Sequence, residues 1–163
     1  MTIRNLGDDT TTLTAEGTQL KLERPIDAPR SAVWAALTTP EHIQAWMGPR
    51  NTTAKVGDND VKVGGKWSVT PAAEQGSDIV LSGEYKEVVE NEKIVRTSVS
   101  SSDPEGNAAT ETLILEDNGG KTTLKYEIEV VSAEVLDGAI EFGMPKSVIE
   151  QFDRLAEVAP KLG

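Results

Sequence analysis

From residue 51 to residue 131 apolar residues recur at every second position in six successive segments. From Ala133 onward they recur at every third or fourth position in one stripe. That order constrains the fold more than any other feature. A sheet with one apolar face must bury it against another layer, and one amphipathic helix is all that the C-terminal part offers. The six segments lie near 52–57, 65–71, 79–90, 92–101, 109–117 and 121–131. Turn residues separate them: Gly64-Gly65, Gln75-Gly76-Ser77-Asp78, Glu90-Asn91-Glu92, Asp103-Pro104-Glu105-Gly106 and Asp117-Asn118-Gly119-Gly120. Asn118-Gly119 is the strongest hairpin signal, because that pair readily takes the positive φ angles of a tight turn. In the strand after it, Thr122, Leu124, Tyr126, Ile128 and Val130 point one way. Thr123, Lys125, Glu127 and Glu129 point the other, so one face is buried and one is wet.

Upstream, Thr18 to Ile26 alternates through Leu20, Leu22 and Ile26 and reads as a first strand. Asp27-Ala28-Pro29 breaks it. Val33, Trp34, Leu37, Ile43, Trp46 and Met47 follow at helical steps divided by Pro40, which predicts two short helices over 29–38 and 40–47, ended by Gly48-Pro49. Thr39 is placed to cap the second. Residues 1–15 are polar and predict a flexible arm or an extra edge strand, leaving 16–163 as one domain. The C-terminal stripe runs through Leu136, Ile140, Met144, Val148, Phe152, Leu155 and Ala159. Gly143 and Pro145 interrupt it, so either two helices meet there or one is kinked. The expected architecture is α+β: an antiparallel sheet of about seven strands, too wide for one helix to cover flat and therefore curved around it. Two short helices lie between the first and second strands. Such geometry tends to leave a cavity between the concave face and the helix.

Composition removes several function classes. The 163 residues suit one domain, and 37% hydrophobic with 26% charged residues is a globular balance. There is no cysteine and a single histidine, His42, so disulfides, thiol chemistry and Cys- or His-based metal centres are excluded and no cofactor is expected. No apolar run approaches the ~20 residues of a membrane span. The start, MTIRNLGDDTTTL, lacks the apolar core of a secretory signal, so a reducing, cytoplasmic setting is expected. A net charge of −11, from 27 acidic and 16 basic residues, opposes binding to nucleic acid or anionic membranes and favours solubility.

Four stretches carry a resemblance: ERPIDAPRSAVWAALTTPEHIQAWMGP at 23–49, GGKWSV at 64–69, SGEYKEVVENEKIVRT at 82–97 and GMPKSVIEQFDRLAE at 143–157. Together they resemble the SRPBCC superfamily and, within it, the group named after the activator of heat-shock-protein-90 ATPase, over about residues 18–160. The resemblance implies the helix-grip fold with a hydrophobic-ligand cavity, as in START domains and the birch pollen allergen. The eukaryotic namesake stimulates a chaperone ATPase but carries a further domain that a chain of this length has no room for. Chaperone activation is therefore discounted.

Ten residues are candidates for the wall of that cavity. Trp46 and Met47 end the second short helix, where a ring over the pocket mouth and a plain core tryptophan are equally consistent. Trp67 and Val69 alternate with Lys66 and Ser68 and should face inward. Leu81 and Tyr85 share a face, and Tyr126 lies on the best-defined inner face. A buried tyrosine hydroxyl needs a partner, which a ligand, a protein group or water can supply. Met144 and Phe152 complete the lining from the closing helix. Arg96 is in phase with Ile94 and out of phase with Val95, Thr97 and Val99. With Ile94 inward it is a buried cation able to bind a carboxylate or phenolate; with Val95 inward it lies on the surface. The cost of burying an unpaired arginine favours the surface. His42 sits in a first helical turn with no nucleophile assignable beside it, so no catalytic residue is assigned.

The leading expectation is a binding module for a small apolar or aromatic molecule, without catalysis. A cyclase- or dehydratase-like enzyme acting on a polyketide-like substrate would need inward polar residues in pairs, and only Arg96 and the tyrosines offer themselves. A chaperone-directed or other protein-interaction module would use the acidic surface. A homodimer through sheet edges or the helical end stays open.

Overall fold

The computed structural model describes residues 3–47, 53–70, 79–101 and 108–162. Strands β1 (Arg4–Asn5), β2 (Thr12–Glu16) and β3 (Gln19–Ile26) lead into helices α1 (Arg30–Thr38) and α2 (Pro40–Trp46). Then come β4 (Lys55–Asn59), β5 (Lys66–Thr70), β6 (Leu81–Val89), β7 (Lys93–Ser100), β8 (Ala109–Asn118) and β9 (Lys121–Glu129), and helices α3 (Ala133–Glu141) and α4 (Met144–Val158). All strand pairs are antiparallel, in the order β1-β2-β3-β9-β8-β7-β6-β5-β4. The first long strand therefore lies beside the last, as the helix-grip arrangement requires. The sheet has nine strands, not seven, because the N-terminal segment folds back twice, β2 pairing with β3 and β1 with β2. Leu13 and Ala15 of β2 enter the core at 1% and 0% exposure, which is what holds that polar segment in place.

The sheet buries one face. Leu20, Leu22 and Ile26 of β3, Leu113 and Leu115 of β8, and Leu124 and Tyr126 of β9 are all buried, in the phase that the alternation predicts. Thr122 joins them by donating its hydroxyl to the Ala28 carbonyl at 2.8 Å. The C-terminal stripe forms two helices, not one. Gly143 takes φ +89 between them, a left-handed conformation suited to glycine, and Pro145 sits in the first turn of α4 where no N–H is needed. Phe152 and Leu155 of α4 pack into the core, while Ile140, Met144 and Val148 are only partly buried against it. Salt bridges tie the closing helices to the sheet: Arg24 to Asp153 at 3.2 Å and Arg4 to Asp137 at 2.8 Å. Arg154, 8% exposed, donates to the Ala45 carbonyl at 2.6 Å and so braces the end of α2.

Two local expectations are corrected. Thr39 is the N-cap of α2, yet its hydroxyl makes no capping bond; its carbonyl accepts from His42 and Ile43 instead. At the β8–β9 hairpin the positive φ angles fall on Gly119 and Gly120, while Asn118 pairs with Lys121 as strand. The expected turns at 75–78 and 103–106, and the Gly48-Pro49 stop, lie outside the described residues.

Candidate functional site

The register of the central strands sets polar side chains in a row across the buried face. Tyr85 of β6 is opposite Arg96 of β7, and Arg96 is opposite Glu111 of β8. Tyr126 of β9 lies one pleat diagonally from Glu111, since Leu113 is its direct partner. Ile94 is 3% exposed, so the phase with Ile94 inward holds and Arg96 points into the protein. That corrects the surface placement. The cost of burial is met by Glu111: the Arg96 Nε donates to Glu111 Oε1 at 3.2 Å, with the two side chains 12% and 10% exposed. The other carboxylate oxygen accepts a short bond, 2.5 Å, from the Tyr126 hydroxyl. In a buried pair with both members hydrogen-bonded, mutual attraction offsets much of the desolvation cost that a lone charge would carry uncompensated.

Trp67 completes this cluster. The Arg96 guanidinium carbon lies 3.8 Å from the centre of its ring, a cation–π contact. Its indole N–H donates to the Thr97 carbonyl at 2.9 Å. Gly83, opposite Trp67, makes this approach feasible. A Cβ there would fall 1.8 Å from the Thr97 carbonyl oxygen and 2.9 Å from the Trp67 Nε1. On the far side of Arg96 the Tyr85 hydroxyl donates to Asn59 Oδ1 at 3.1 Å, and the Asn59 amide donates to the Thr38 carbonyl at 2.7 Å. The network thus reaches from the end of α1 across the sheet to β9. Burial pushes the ionisation of Tyr85 upward against the opposing pull of Arg96. Burial, reinforced by the Glu111 charge, holds that of Tyr126 well above the ordinary phenol value.

Beside this cluster, between the sheet and α3–α4, lies a cavity of about 380 Å³, within the size range of small-molecule sites. Its wall brings together five of the ten residues singled out from the sequence: Met47, Trp67, Leu81, Tyr126 and Met144. Val148 and the valines flanking the start of α3, Val131 and Val135, add to the apolar side. Glu111 and Ser98 supply polar atoms. A second, water-sized space of about 20 Å³ is bounded by Trp46, Met47, Trp67, Val69 and Arg96 among others. Tyr85 borders neither space and is 1% exposed. Phe152 also borders neither; it stacks on Trp46 and meets Tyr126 at a tilt, with ring centres 6.1 and 5.1 Å away. Trp46 donates its indole N–H to the Ala36 carbonyl at 2.7 Å and is 4% exposed, so it supports the wall as core.

Glu111 was not singled out from the sequence. Its signal was its phase with Leu113 and Leu115, the same kind of misplaced charge that Arg96 makes beside Ile94. Among the described residues no three carboxylate or histidine side chains gather to hold a metal ion, and no helix is long and apolar enough to cross a membrane.

Residues 27–159 match the family described as activator of Hsp90 ATPase homolog 1-like protein. No curated protein matches the chain in sequence. Solved structures match its fold. A Rhodobacter sphaeroides protein superposes with a TM-score of 0.83 at 22% identity, over 94% of this chain and 100% of the other. One from Arthrobacter aurescens gives 0.82 at 18% identity, over 91% of each chain. One from Chromobacterium violaceum gives 0.75 at 22% identity, over 87% of this chain and 96% of the other.

Proposed function

Because the chain belongs to the activator of Hsp90 ATPase homolog 1-like family, whose SRPBCC-type fold commonly holds hydrophobic ligands, we propose that it binds a small apolar or aromatic molecule between its sheet and closing helices. The observation that carries this reading is the cavity of about 380 Å³ walled by Met47, Trp67, Leu81, Tyr126, Met144 and Val148. A core packed to native density leaves few voids larger than a water molecule. This space is many times larger than one water molecule. Its apolar sides supply the driving force, and the Glu111–Tyr126 end supplies orientation.

The same pair would be the starting point for an acid–base enzyme, since inward polar groups do occur together here. Its chemistry favours binding. Tyr126 is pushed to hold its proton, whereas a general acid or base works best with a pKa near the operating pH. Glu111 is held in place as the counter-ion of Arg96 and the acceptor of the Tyr126 hydroxyl.

Trp67 lines the cavity, so occupancy should change tryptophan fluorescence. Titration with a panel of small aromatic and aliphatic compounds should show saturable quenching, and Val148→Phe, which fills the space, should abolish it. Quenching undiminished in Val148→Phe would place the ligand elsewhere. Absence of any binder, with native mass spectrometry showing no co-purified adduct, would reject the reading.

A further inference from the structure

We infer that the cavity selects a neutral molecule with one hydrogen-bond donor on an apolar body, an alcohol or a phenol, over a carboxylic acid or an amine of the same size. The inference rests on the proposed binding function and names the class of ligand. Among the described residues lining the cavity, Glu111 is the one that carries a charge; the others are apolar, hydroxyl or amide side chains. Arg96, its counter-ion, borders the smaller space and not this one.

A carboxylate offers about four acceptor sites. In Glu111 the bonds from Arg96 Nε and the Tyr126 hydroxyl take two, one on each oxygen. What the pair turns toward a ligand is therefore acceptor capacity: the remaining Glu111 lone pairs and the Tyr126 oxygen, whose proton is committed to Glu111. A ligand hydroxyl reaching this end has one proton to give, to a Glu111 oxygen or to the Tyr126 oxygen. A ligand carboxylate has no proton to give there at neutral pH. Its charge would have to leave water with the nearest guanidinium already paired with Glu111 and stacked on Trp67, so it gains no counter-ion.

An ammonium ion fails for a different reason. The Arg96–Glu111 pair is already balanced in charge, so a third charge must leave water for an apolar chamber without a counter-ion of its own. A neutral hydroxyl carries no such penalty.

The test uses three probes with one eight-carbon chain: 1-octanol, octanoate and octylammonium. Each is titrated into the full-length protein at neutral pH, with binding followed by tryptophan fluorescence and isothermal calorimetry. The expected result is saturable binding of 1-octanol, with each charged probe at least about tenfold weaker. Octanoate or octylammonium binding as tightly as 1-octanol would overturn the inference while leaving the binding function standing. Failure of all three to bind up to their solubility limits would overturn the inference. If the wider compound panel also yields no binder, the binding function falls with it.

Discussion

The Arg96–Glu111 pair can be tested by a double-mutant cycle, because each partner alone should be far harder to lose than both together. Glu111→Leu removes the acceptor of the Arg96 Nε and of the Tyr126 hydroxyl in one step. Removing one partner of a buried ion pair costs about 3–5 kcal/mol. With the two side chains 12% and 10% exposed, water relieves part of that charge, which sets the cost at about 3 kcal/mol, the low end of the range. The orphaned Tyr126 hydroxyl adds about 1 kcal/mol. A total of about 4 kcal/mol is a large share of the roughly 5–15 kcal/mol typical of a domain. It should lower Tm by about 10 °C, at roughly 2–4 °C per kcal/mol for a chain of this size.

Arg96→Met leaves the Glu111 charge buried and forfeits the stack on Trp67, for a similar cost of about 3–4 kcal/mol. The double variant Arg96→Met/Glu111→Leu carries neither charge. It fills the space with apolar side chains and keeps only the unpaired Tyr126 hydroxyl as a defect, so it should cost about 1–2 kcal/mol. The coupling between the two sites is then about 5–7 kcal/mol, the amount by which the two single costs together exceed that of the double variant. Urea unfolding, followed by both fluorescence and far-ultraviolet circular dichroism to check that one transition is seen, measures all four corners of the cycle. A double variant that loses as much as the two single variants combined would refute the reasoning, because the charges would then not depend on each other.

Three further outcomes follow from the same geometry. Tyr85 and Tyr126 have folded-state pKa values raised above the ordinary value of 10.0, so the unfolded chain loses these protons first. Their stabilising contribution is complete below pH 10 and is lost as pH rises above it; spectrophotometric alkaline titration should show phenolate appearing together with unfolding, not before it. Gly83→Ala should cost more than about 3 kcal/mol or prevent folding, since its Cβ would collide with the Thr97 backbone; urea unfolding or soluble yield reads the effect. Phe142, 95% exposed between α3 and α4, makes no core contact, so Phe142→Ser should change stability by less than about 0.5 kcal/mol in the same unfolding assay.

Period alone carried much of the fold. Strand β9, with Leu124 and Tyr126 inward, and the helical stripe through Phe152 and Leu155 lie where the alternation and the three-to-four spacing predict them. The N-terminal strands were not distinguishable from a flexible arm, because β2 buries only Leu13 and Ala15 within a polar stretch. The site was legible residue by residue but not as a cluster. Arg96 and Glu111 each occupy an apolar phase on their own strand, and each, judged singly, is driven to the surface by the cost of an isolated buried charge. The pairing depends on register, Arg96 opposite Glu111 on the neighbouring strand, which no hydrophobic pattern within either strand specifies. Two opposite charges misplaced in the inward phase of adjacent strands are better read jointly, since together they remove the objection that each raises alone. The cavity lay further out of reach. Met144 and Val148 fit a packed stripe as well as a standing-off one, and their spacing does not tell which. Gly143, in a left-handed conformation, separates α3 from α4. The space next to the polar cluster is walled from both, by Val135 of α3 and by Met144 and Val148 of α4, so it is a property of the tertiary arrangement that the spacing of apolar residues does not encode.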